Sequence, residues 1–100
     1  MNDLGLTKED REILTSILRG PFEVLVFGSR TKGTHKPFSD IDICLKGAQA
    51  LPRSLLADLR GQLEECDLPY KVDLIDYHQV SDGFRTLIDR TAMQVGKEGF

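Results

Sequence analysis

Cysteine is scarce in this 100-residue chain. Cys44 and Cys66 stand alone in different segments, without the paired spacing of a zinc site or a disulfide framework, so both read as buried thiols. A basic surplus is missing too. With 13 Lys and Arg against 16 Asp and Glu, the formal charge of -3 is too near neutral for a general nucleic-acid binder. Any such contact would need a local site. No apolar run approaches the roughly 18 residues of a membrane span, and Met1-Asn2-Asp3-Leu4 lacks the basic, apolar, then small-residue layout of a secretory signal. The expectation is a cytoplasmic protein with no membrane partner. Internal repeats, linkers and low-complexity tracts are absent as well. What is present is ordinary: 40% apolar and 29% charged residues, with 9 Gly and 4 Pro. Such a chain is expected to fold as one domain over residues 1–100, burying roughly two-thirds of its unfolded surface.

Local patterns then divide the chain. Thr7, with an acidic residue three places on, starts a helix in which Ile13, Leu14, Ile17 and Leu18 recur at helical spacing, and Gly20-Pro21 stops it. Glu23 to Phe27 is Val/Leu/Phe-rich and ends at Gly28, as a short buried strand would. One helical turn can follow Ser29 before a polar loop. Asp40 to Leu45 alternates at period two until Lys46-Gly47, so Asp40 and Asp42 should project from one strand face and Ile41 and Ile43 from the other. After Pro52, Leu55, Leu56, Leu59, Leu63 and Cys66 form a helical stripe. Tyr70 to Asp76 is a third strand, with Val72 and Leu74 on one face and Lys71, Asp73 and Ile75 on the other. Ser81 or Asp82 caps a last helix with Phe84, Leu87, Ile88, Thr91 and Val95 inward. The predicted fold class is α/β (α+β): a three-stranded mixed sheet flanked by about four helices.

Three aspartates in two strands need a physical reason, since Asp is depleted in strands and a buried carboxylate costs several kcal/mol unless paired or metal-bound. A solvated sheet face would explain Asp40 and Asp42 alone. The combination says more: Gly28-Ser29 directly follows an apolar strand and lies eleven residues before Asp40, with Arg30 and Lys32 between. Two carboxylates on alternate strand positions offer hard oxygen ligands on one side, as magnesium prefers. Asp73 is the candidate third ligand, completing a site for two ions roughly 3.5 to 4 Å apart. Gly28 lets backbone approach a phosphate, and Ser29 offers a hydroxyl and an N–H at a helix start.

Gly-Ser-Arg-x-x-Gly at 28–33, then Ser-Asp-x-Asp at 39–42, with a later strand aspartate at 73, resembles the signature of the nucleotidyltransferase superfamily related to DNA polymerase β. The short chain resembles its minimal nucleotidyltransferase branch. The resemblance implies metal-dependent transfer of a nucleoside monophosphate from ATP to a hydroxyl, with loss of pyrophosphate. By that analogy Asp40 and Asp42 bind both magnesium ions. Asp73 helps bind the catalytic ion and orient the acceptor, while Gly28, Ser29 and Arg30 bind the nucleotide phosphates. Lys32, Lys71 and Ser39 are weaker candidates for the same site. Gly33 serves the turn, His35 and His78 read as loop residues, and Asp76, opposite Asp73 in facing, reads as a strand-end charge.

A chain this small supplies one wall of a nucleotide pocket, where nucleotides are usually enclosed by two. The family analogy therefore implies a second component. Minimal nucleotidyltransferases pair with small helical HEPN proteins in toxin–antitoxin modules, attaching AMP to the toxin and silencing it. Two alternatives stay open: a subunit that modifies a small molecule such as an aminoglycoside-type antibiotic, and an antitoxin that works by binding without catalysis. The sequence does not read out the acceptor, the base or the oligomeric state.

Overall fold

The computed structural model describes residues 4–28, residue 31 and residues 40–95. Its elements run α1 (Lys8–Ile17), β1 (Phe22–Phe27), β2 (Ile41–Gly47), α2 (Arg53–Glu65), β3 (Val72–Asp76), a 3-10 turn (Tyr77–Gln79), α3 (Asp82–Thr91) and β4 (Met93–Gln94). Each helix start follows from its sequence. Thr7 Oγ1 accepts from the Asp10 N–H at 3.0 Å and the Asp10 carboxylate accepts from the Thr7 N–H, a reciprocal capping box. Pro52 precedes α2 where a missing N–H costs nothing. Ser81 Oγ caps α3 by accepting from Phe84 N–H at 3.2 Å, which decides between Ser81 and Asp82.

The strands form one mixed sheet in the order β3-β2-β1-β4. β1 and β2 are antiparallel, β2 and β3 parallel, and β4 is antiparallel to β1. The parallel pair is joined by α2, as a parallel connection requires. One face of the sheet carries Val26, Ile41, Ile43 and Leu45, all 0% exposed, and packs with Leu14 of α1 and Leu56, Leu59 and Leu63 of α2. Each such side chain contributes roughly 1.5–3 kcal/mol by leaving water. At the free edge of β3, Arg60 Nη2 donates to the Leu74 carbonyl at 2.8 Å, capping a backbone acceptor that a further strand would use.

Of four expectations, three need correction and one lies almost wholly outside the described residues. First, the sheet has four strands: α3 ends at Thr91, and Met93–Gln94 turn back to pair with Leu25 and Val26, Val95 N–H donating to the Val24 carbonyl at 2.9 Å. A two-residue strand has no periodicity to reveal it. Second, there are three α-helices among the described residues, because the expected turn after Ser29 falls almost wholly outside them. Third, Leu87 and Thr91 are exposed while Ile88 is sealed, so the inward stripe of α3 is Phe84 and Ile88, one turn apart. Fourth, β2 continues through Lys46-Gly47, where Glu23 and Phe22 of β1 supply the pairing.

Asp76 is not a strand-end charge. It is 2% exposed, and its carboxylate accepts from Leu51 N–H at 2.7 Å and His78 N–H at 2.9 Å. His78 is likewise structural, its Nε2–H donating to the Gly47 carbonyl at 2.7 Å. Asp76→Ala would leave two amides without their acceptor and is expected to cost roughly 2–4 kcal/mol in urea denaturation. Asp76→Asn, which keeps one acceptor oxygen, should cost clearly less; equal losses would show that the hydrogen bond to the retained oxygen contributes nothing.

Candidate functional site

The strand register builds the site. Asp42 on the central strand β2 pairs with Phe27 of β1 on one side and with Asp73 of β3 on the other. Directly paired residues share a face with Cβ atoms roughly 4.5–5.5 Å apart. Asp42 and Asp73 thus emerge side by side on the sheet face away from the main core, and Asp40 follows just before β2 begins. The alternation read from the sequence holds at Ile41, Asp42 and Ile43. Cys44, on the carboxylate face, is 0% exposed, the buried thiol expected. Burial, then the Asp76 charge, pushes its thiol up to about 11. Cys66 is half-buried, its Sγ donating to the Leu63 carbonyl at 3.0 Å.

The electrostatics of the cluster are those of like charges held together. Burial, the charges of Asp73 and Asp40, and a hydrogen bond with Asp73 raise the Asp42 carboxyl above its ordinary range. One cation already answers part of this charge: Lys71 Nζ lies 3.5 Å from Asp73 Oδ1, the lysine exposed and the aspartate part-buried. Such a pair contributes little by itself. Among the described residues no three Asp, Glu, His or Cys side chains form a ready-made ligand cage. The donor set fits a hard divalent cation that keeps waters and takes other ligands from phosphates: carboxylate oxygens only, on one open face, in a position where a positive charge relieves their repulsion.

Gly28 has a role the sequence did not disclose. Its φ is +85°, in the left-handed region, and a Cβ built there would run into Asp42 Oδ2. Glycine is thus required both by the turn out of β1 and by the room Asp42 occupies. The Thr31 N–H and Oγ1–H both donate to the Gly28 carbonyl, at 3.2 and 2.7 Å, which closes the turn after it. Gly28, Asp40, Asp42 and Asp73 are therefore brought to the same end of the sheet. The expected phosphate ligands Ser29 and Arg30, with Lys32, Gly33, His35 and Ser39, lie outside the described residues. What sequence reasoning missed was the aromatic neighbour of Asp42: Phe27 meets Phe84 of α3 edge to face, ring centroids 5.6 Å apart. Only the tertiary packing of α3 reveals that contact.

The small mixed sheet, with paired carboxylates on its central and edge strands and a glycine turn pressed against one of them, has the fold of a small nucleotidyltransferase. The chain belongs to the polymerase beta nucleotidyltransferase family, whose pattern it matches over residues 14–96. It is 34% identical over 88 residues to the probable protein adenylyltransferase MntA of Haemophilus influenzae, covering 85% of this chain and 77% of that one. Among solved structures it is similar to a toxin–antitoxin crystallised with AMP-PNP, at 27% identity and TM-score 0.68, covering 88% of this chain and 72% of that one. A tri-AMPylated HEPN toxin of Shewanella oneidensis in complex with its MNT antitoxin shares the fold, at 22% identity and TM-score 0.61, covering 94% and 71%. The minimal nucleotidyltransferase resemblance is thus borne out, and no helix among the described residues is long and apolar enough to cross a membrane.

Two predictions follow from this geometry. An acid whose folded-state pKa is raised adds stability that is complete below its unfolded value and lost as pH climbs through the folded value. In EDTA, Asp42→Asn should therefore be the more stable protein at pH 7, by less than about 1 kcal/mol after solvent screening. That advantage should vanish towards pH 4 and below, and magnesium should raise the melting temperature of the wild type more than that of the variant. Melting curves at several pH values, with EDTA or magnesium, check both signs. Gly28→Ala, forced into positive φ and against Asp42, should lose roughly 1–2 kcal/mol of stability and at least tenfold in nucleotidyl transfer; a variant with full activity would show that Asp42 needs no such room.

Proposed function

We propose that this nucleotidyltransferase transfers AMP from ATP to a hydroxyl on a small helical partner of the HEPN type, and so acts as the antitoxin of a two-component module. The observation that carries the reading is the direct pairing of Asp42 with Asp73, beside Gly28, at one end of the sheet. It is supported by the 34% identity to a probable protein adenylyltransferase and by the 27% identity to a toxin–antitoxin holding an ATP analogue.

In this reading Gly28, Ser29 and Arg30 hold the triphosphate, the first by allowing close backbone approach and the last by matching phosphate oxygens with its guanidinium fork. Asp40, Asp42 and Asp73 would hold two magnesium ions, which supply Lewis-acid polarisation of the phosphates and offset the charge on the departing pyrophosphate. Asp73, on the strand at the sheet edge, orients the acceptor hydroxyl and takes its proton. The acceptor oxygen forms its bond to the α-phosphorus in line with the breaking bond to the pyrophosphate oxygen, leaving an AMP ester and free pyrophosphate. The single domain over residues 1–100 supplies one wall of the pocket, and the partner supplies the other. Its proposed location is the cytoplasm.

Incubating the purified chain with α-labelled ATP, magnesium and a HEPN partner should label the partner. Asp42→Ala should lower the rate by at least roughly a thousandfold, the scale of losing a metal-held transition state, without unfolding the protein. Label on a small aminoglycoside-type acceptor alone would favour the small-molecule reading. A tight complex that takes up no label would favour an antitoxin acting by binding. Undiminished transfer by Asp42→Ala would overturn the carboxylate assignment.

A further inference from the structure

Two apolar clusters occupy opposite faces of the sheet, and the smaller one has no role in the chemistry described so far. On the core face, α1, α2 and the buried side chains of β1, β2 and β3 form one continuous interior. Phe27 and Phe84 do not belong to it. They lie on the carboxylate face, both only part-buried, with rings 5.6 Å apart and crossed at 88°. Phe27 is the register partner of Asp42, so an aromatic ring adjoins that carboxylate on the side away from Asp73.

The arrangement has two distinct sides. On the β3 side of Asp42 lies Asp73, which under the proposed function orients the acceptor. On the β1 side lie Phe27 and then Gly28, the first residue of the turn proposed to hold phosphates. Under that reading donor and acceptor would enter from opposite sides of Asp42, with the aromatic pair on the donor's side. The ring presented there is held firmly. α3 is capped at Ser81 and tied further along by Asp89, whose two carboxylate oxygens accept from Tyr77 Oη–H at 2.9 and 3.0 Å. Tyr77 is fixed in turn by Lys46, its Nζ 4.6 Å from the ring centre. Ile88, one turn beyond Phe84, is 1% exposed and seats the same helical face.

We propose that Phe84, backed by Phe27, is the platform on which the nucleoside of the donor nucleotide rests, making α3 the element that recognises the base. The inference rests on the nucleotidyltransferase reading given above and extends it to a residue outside the carboxylate and phosphate motifs. An aromatic face recognises a base by stacking, which is tolerant of base identity because every base has a π-face. The platform therefore senses that a nucleoside is attached to the triphosphate, and leaves discrimination between bases to other groups.

The test separates nucleoside from phosphate. Wild type, Phe84→Ala, Phe84→Leu and Phe84→Trp are titrated with ATP and with inorganic tripolyphosphate in magnesium by calorimetry, with melting temperatures as a folding control. Phe84→Ala and Phe84→Leu are expected to weaken ATP by roughly 5- to 50-fold, the range of a lost base–aromatic stack. Tripolyphosphate binding should stay unchanged, and Phe84→Trp should keep ATP affinity within about twofold of wild type because it retains a stacking face. Phe84→Leu preserves apolar bulk on α3, so it serves even if the alanine variant is unstable. In the transfer assay the loss should appear in KM for ATP with little change in kcat. Equal weakening of ATP and tripolyphosphate, unchanged ATP affinity in the leucine variant, or a rise only in KM for the partner would each overturn the proposal while leaving the transfer reading intact. A wild-type chain that binds neither ligand would defeat the underlying reading as well.

Discussion

Everything in this molecule turns on one unfavourable contact. The parallel register of β2 and β3 sets Asp42 directly against Asp73, a pairing of like charges that a sheet ordinarily avoids. Asp40 adds a third negative charge nearby. The sheet tolerates them because the hydrophobic interior on its other face, through Ile41, Ile43, Leu45 and Leu74, fixes the same register. A slip of one residue would turn that apolar set towards water and the carboxylates inward. Packing on one side of the sheet therefore enforces repulsion on the other, and repulsion held in place is what a positive charge on that face would relieve.

Gly28 shows how closely the first turn is fitted to that arrangement. The glycine of a tight turn is usually understood through its backbone, and the φ of +85° at Gly28 is of that kind. The same missing side chain also makes space for a carboxylate oxygen of Asp42. The turn at Gly28 and the strand of Asp42 are thus one steric unit, although fourteen residues separate them in the chain.

How much of this was legible beforehand depended on whether a feature leaves a local pattern. The strands of Asp42 and Asp73 did, through alternation, and the family motif did, because Gly28 and the Asp-x-Asp pair have fixed spacing. The capping box at Thr7 was equally plain. The fourth strand was not, since two residues carry no period and its pairing with Leu25 and Val26 is decided by where α3 stops. Asp76 was misread because position in a strand gives its facing but not its hydrogen-bond partners, and one of those, Leu51, is 25 residues away. The contact of Phe27 with Phe84 was not legible either, because it depends on where α3 lies in space and not on any local pattern.

The buried carboxylate of Asp76 also bears on the geometry at the opposite end of its strand. By accepting from amides both before α2 and after β3, it bolts the entry to the crossover helix and the exit from β3 to a single point, one step beyond Ile75. Sliding β3 along β2 would tear that bolt as well as misplace Asp73. Alignment at the reactive end is thus guarded by a fastening made at the far end, where no substrate need ever reach.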